Sequence, residues 1–156
     1  MKKLLFFLLM WSNVAQAQTP RPQLHDSLFS TYYHQRVTLF KSLPQTTGDI
    51  IFIGNSITDG GEWSELFNDL RLKNRGISGD VSAGVVHRID EVAERKPAKV
   101  FVMIGTNDLA RNVTPDSLLK NIYWMVRHLQ QRTPATKVYV QSVLPVNEVY
   151  RKFGGH

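Results

Sequence analysis

Short apolar runs alternate with amphipathic helical stretches along this chain, and that alternation leaves few architectures open. Ile50-Ile51-Phe52-Ile53, Val100-Phe101-Val102-Met103-Ile104 and Val138-Tyr139-Val140-Gln141-Ser142-Val143 read as strands. The first of these, a continuous apolar run, suits a strand buried on both faces. A weaker strand falls at Leu72 to Arg75. Asp80 is positioned to cap a helix whose apolar face is Val81, Val85, Ile89 and Val92, ended before Pro97. Thr114-Pro115-Asp116 opens a longer helix to about Arg132, with Leu118, Ile122, Met125, Val126 and Leu129 inward. A shorter helix is expected from Glu62 to Leu70, with Trp63, Leu66, Phe67 and Leu70 on one side, and another from an Asp26 cap to Ser42. Strands joined by helices argue for right-handed crossovers and a parallel sheet. The 156 residues suffice for one such domain.

The ends and the composition narrow the setting. Lys2 and Lys3, the apolar run Leu4 to Trp11 and Ala15-Gln16-Ala17 have the form of a signal peptide over residues 1–17. Residues 18–25 then form a linker and 26–156 the domain. The expected location is secreted or periplasmic, with no membrane attachment after cleavage. The absence of cysteine excludes disulfides, thiolate metal sites and a cysteine nucleophile. The formal charge of +6 raises nucleic acid as a partner. The positive residues Arg71, Lys73, Arg75, Arg88, Arg95, Lys96 and Lys99 are scattered, however, and no recognition motif accompanies them. They read as a solvated basic surface.

In open parallel sheets, function sits at the carboxyl ends of the strands. Three Gly-punctuated polar loops stand there: Gly54-Asn55-Ser56-Ile57-Thr58-Asp59-Gly60-Gly61, Asn74-Arg75-Gly76-Ile77-Ser78-Gly79-Asp80 and Gly105-Thr106-Asn107-Asp108. Ser56 lies on a sharp turn into a helix, where backbone N–H groups favour developing negative charge. Gly79 offers an unobstructed N–H and Asn107 an amide donor. A serine hydroxyl with these donors makes a nucleophile and an oxyanion hole.

The three ordered blocks resemble those of the SGNH, or GDSL-type, lipase and acylhydrolase family. Ile50 to Asn147 is similar to its sialate O-acetylesterase-like or platelet-activating-factor-acetylhydrolase-like branch. The resemblance implies a three-layer α/β/α, flavodoxin-like fold with five parallel strands ordered 2-1-3-4-5. Four strands are placed here, as 2-1-3-4, leaving the fifth unplaced. It also implies Ser56 as nucleophile, the Ser56 N–H, Gly79 and Asn107 as oxyanion donors, a small ester such as an acetylated sugar or acyl ester as substrate, and no cofactor or metal. Asn55 stands where the family more often has Asp, at a position that supports the loop. The family's last block, Asp-x-x-His, has no counterpart: no Asp in this chain has a His three residues later. His25, His34, His87, His128 and His156 read as flank or surface residues. The expectation is a chain truncated before that block. A flavodoxin-like module holding a phosphate or flavin near Gly54–Gly61, and an inert carbohydrate-binding relic, stay open as alternatives. Asp59 and the lack of a phosphate-loop lysine count against the first.

Overall fold

The structure, a computed structural model, describes residues 20–22 and 29–144. The expected signal segment and the Asp26 cap lie outside them. The first helix, α1 (Thr31–Ser42), starts later than a run from Asp26 would. Ser30 is the cap: its backbone is extended and its Oγ accepts from the Tyr33 N–H at 3.2 Å.

Four strands follow: β1 (Ile50–Gly54), β2 (Leu72–Gly76), β3 (Lys99–Met103) and β4 (Lys137–Val140). They form a parallel sheet in the order β2-β1-β3-β4, as the resemblance implies. The crossover from β1 to β2 carries α2 (Ser56–Asp59) and α3 (Trp63–Leu66). The next carries α4 (Ser82–Glu94), and the last carries α5 (Thr106–Ala110) and α6 (Pro115–Arg132). The start of α6 is as expected, with Thr114 Oγ1 accepting from Ser117 N–H and Pro115 in the first turn. Trp124, absent from the expected inward set, is buried as well.

The expected Glu62–Leu70 helix shrinks to one turn. Asn68 adopts a left-handed conformation (φ 48°), and the N–H groups of Asn68 and Asp69 return to the carbonyls of Glu65 and Ser64. This pattern closes a helix. Leu66, Phe67 and Leu70 consequently stay exposed rather than lining one packed side.

The two faces of the sheet differ. Ile51, Ile53, Val100 and Val102 lie fully buried under Val85, Ile89 and Val92 of α4 and Met125 and Leu129 of α6. On the other face Phe52, Phe101 and Tyr139 are paired in register and stack at 5.0 and 4.8 Å, with Trp63 stacked on Phe52 at 4.6 Å. Phe52 and Phe101 are half-buried and Tyr139 is exposed. The expectation of a first strand buried on both faces is therefore wrong. Among the described residues, two four-residue helices are too short to blanket the face that α4 and α6 do not reach.

The reading of the arginines as solvated surface is also corrected. Arg75, Arg88 and Arg95 are buried, between 3% and 5% exposed. Arg75 and Arg95 flank Glu91, while Arg88 pairs with Asp80. Arg95 also donates to the carbonyls of Phe40, Leu43 and Pro44, which fixes the end of α1. The Phe40 ring lies under Arg36 at 4.8 Å and Arg75 at 4.9 Å. Apolar spacing does not announce such a cluster, because each charge is matched only in three dimensions.

Candidate active site

β1, β2 and β3 end level with one another: Gly54 is opposite Gly76 on one side and Met103 on the other. The three loops therefore leave the sheet at a common height. Asn55, 2% exposed, opens the first by accepting the Ile57 N–H on its side-chain oxygen at 3.1 Å. This cap places Ser56, exposed, at the first position of α2. No described group accepts the Ser56 N–H.

A neighbouring strand holds that turn. The side-chain amide of Asn74, on β2, donates to the carbonyls of Thr58, Asp59 and Gly61 at 2.8, 3.0 and 2.9 Å. Its oxygen accepts from Gly76 N–H at 2.7 Å. Gly76 has to be glycine for this approach, since a Cβ there would collide with the backbone of Thr58 and Asp59.

The second loop hangs on the first. Ser78 donates through both its N–H and its hydroxyl to Asp59, at 3.0 and 2.7 Å. Asp80 N–H returns to the Ile77 carbonyl, and Gly79 sits at φ +80°, where glycine avoids the strain of a side chain. No described group accepts the Gly79 N–H.

The third loop is tied to the second. The Asn107 amide donates one N–H to the Asp80 carbonyl at 2.8 Å. An amide nitrogen carries two N–H groups, so one is left for a ligand. Arg111 donates to the Gly79 carbonyl at 2.9 Å. Asp108, 1% exposed, accepts from the N–H and hydroxyl of Ser82. It thereby does what Asp80 was expected to do, because the residue preceding α4 is Val81, which has no side-chain oxygen. Asp80 instead faces Arg88 at 2.9 and 3.0 Å. Burial raises the Asp80 pKa above the usual carboxylate range, with Arg88 pulling against that rise. Arg88 also donates to the carbonyls of Arg75 and Gly54, the latter two residues before Ser56.

Ser56, Gly79 and Asn107 thus stand on three mutually bonded loops. The histidines of the described residues stand elsewhere. His87 bonds to the Tyr33 hydroxyl at 3.0 Å, His128 to Asp90 at 2.7 Å, and His34 lies exposed on α1. None of the three bonds to a group in the loops, and His25 and His156 lie outside the described residues. Among the described residues, no three His, Asp or Glu side chains are grouped to hold a metal ion. An apolar cavity of about 330 Å³, lined by Phe52, Ile57, Trp63, Phe101 and Tyr139, opens beside α2 on the aromatic face.

Asn74, Arg88 and Asp108 were not singled out from the sequence. Arg88 had a signal, since it falls on the stripe formed by Val85, Ile89 and Val92. Asn74 had one as a polar residue inside a strand. Asp108 had none.

An open parallel sheet of this order, with a capped serine turn and amide donors at its carboxyl edge, defines a flavodoxin-like α/β fold with a strand-end crevice. Within it, the chain belongs to the GDSL-like lipase/acylhydrolase family, whose model matches residues 52–154. It is 31% identical over 106 residues to platelet-activating factor acetylhydrolase IB subunit alpha2 of Homo sapiens, covering 64% of this chain and 45% of that one. The human alpha1 subunit is 31% identical over 140 residues, 85% of this chain and 58% of that protein. The crystal structure of a GDSL-like lipase from Bacteroides thetaiotaomicron superposes with a TM-score of 0.61 at 31% identity, over 73% of this chain and 59% of that one. The chain spans about half the length of these relatives.

Proposed function

We propose that this chain carries the nucleophile and the oxyanion donors of an exported serine ester hydrolase acting on small acetyl or acyl esters of carbohydrates or lipids. The observation that carries the reading is the mutual bonding of the three loops, Ser78 to Asp59 and Asn107 to Asp80, around Ser56. Acetyl ester chemistry is supported by the names of the human relatives, and export by the form of residues 1–17.

Ser56 Oγ attacks the ester carbonyl. The new C–O bond forms as the carbonyl electron pair moves onto oxygen. The N–H groups of Ser56 and Gly79 and the free Asn107 N–H donate to that oxyanion. Collapse expels the alcohol and leaves the acyl group on Ser56, and water then releases it. The resemblance assigns the proton transfers to an Asp-x-x-His pair, which none of the described histidines replaces.

A fluorophosphonate probe tests this. Ser56 Oγ bonds to phosphorus as fluoride leaves, and peptide mass spectrometry locates the adduct. Labelling is expected to be slow, since none of the described histidines activates the hydroxyl, to fall at Ser56 alone, and to be slower still, by about 10²–10³-fold, in Asn107→Ala. Labelling elsewhere, or at an unchanged rate in Asn107→Ala, overturns the proposal.

A further inference from the structure

Arg111 stands beside the crevice with a charge that no described carboxylate neutralises. It is exposed, and its one bond runs from Nη2 to the Gly79 carbonyl at 2.9 Å. A Cβ built on Gly79 would lie 3.8 Å from the same nitrogen. The nearby acids are committed elsewhere. Asp59 receives Tyr32 and Ser78 and faces Arg36, Asp80 faces Arg88, and Asp108 receives Ser82. The turn at Gly79 is already closed by the Asp80-to-Ile77 bond and by Ser78 on Asp59. A guanidinium used only to brace this turn would leave most of its donors and its whole charge idle. Its planar fork matches a pair of anionic oxygens.

We infer that Arg111 selects esters that carry an anionic oxygen group, a carboxylate or a phosphate monoester, within reach of the reacting carbonyl. The inference rests on the proposed roles of Ser56, Gly79 and Asn107, and it names the substrate class of that same site.

The test uses the full chain carrying Ser56→Ala, so that binding is read without turnover. The probes are 4-acetoxybenzoate, 4-acetoxyphenyl phosphate and the neutral methyl 4-acetoxybenzoate, titrated by calorimetry or ligand-observed NMR. At least one anionic probe is expected to bind about tenfold more tightly than the neutral one. The better of the two identifies carboxylate or phosphate as the group read. The preference is expected to shrink in high salt, to vanish in Arg111→Gln and to survive in part in Arg111→Lys. A thermal melt of each variant confirms folding. Equal binding of charged and neutral probes, a preference that survives Arg111→Gln, or no detectable binding of either anionic probe at millimolar concentration overturns the inference. Ser56 labelling without a charge preference rejects Arg111 and keeps the hydrolase reading. A charge preference with labelling away from Ser56 keeps an anion site at Arg111 and rejects the hydrolase reading.

Discussion

The two faces of one sheet show how differently the same strands are completed. Under α4 and α6, Ile51, Ile53, Val100 and Val102 meet aliphatic side chains and are buried from water. On the opposite face, Phe52, Phe101 and Tyr139 stack on one another, with Trp63 at one end and solvent at the other. Aliphatic residues need a helix to cover them. Aromatic residues in register cover part of each other, which suits a face that receives only short crossover helices. The closed face is also backed by buried ion pairs, whereas the open face ends at β4, where Tyr139 is exposed.

The largest expected effect lies on the closed side. Arg88→Ala leaves Asp80 buried and unpaired and should cost about 3–5 kcal/mol in urea unfolding. Ile53→Ala should cost about 2–5 kcal/mol and Phe101→Ala roughly half as much, because Phe101 is already half in water. The reverse ranking of these two would break the contrast between the faces. Tyr139→Lys should change stability by less than about 1 kcal/mol while reducing self-association in sedimentation, since a lysine blunts an exposed edge strand. The smallest effect is at Asp90. Burial alone would raise its pKa, but bonds from Arg21 and His128 outweigh that and hold it low. A depressed carboxylate stabilises the fold above its unfolded pKa, near 3.9, and the contribution drains away as pH falls through the depressed value. Asp90→Asn should therefore cost less than about 1 kcal/mol at neutral pH and progressively less as pH falls below the unfolded pKa.

Much of this was legible in the residues. The strand positions, the α6 cap at Thr114 and the three loop positions follow from local patterns, namely periodicity, turn chemistry and short motifs, while the strand order comes from the family resemblance. What was not legible depends on partners far along the chain. Asp80 has the right type for a cap but lies one residue before the cap position, Val81; Arg88 takes its carboxylate and Asp108 takes over the helix end. Arg75 and Arg95 look solvated until Glu91 is brought between them. The short α3 had its stop signal at Asn68, a residue that tolerates the left-handed region.

The loops also share an order of assembly. The Ser56 turn is gripped by Asn74 of the next strand, the Gly79 turn by Asp59 of the previous loop, and the Asn107 amide by the backbone of Asp80. Each turn also has bonds of its own, Ile57 to Asn55 in the first and Asp80 to Ile77 in the second, but each leans on a neighbour as well. The serine turn lacks its grip from Asn74 until β2 has docked, and the amide donor lacks its anchor at Asp80 until β3 has. Loosening one turn releases its neighbours, so the crevice gains and loses its shape as a unit, and its slowly exchanging amides should open together.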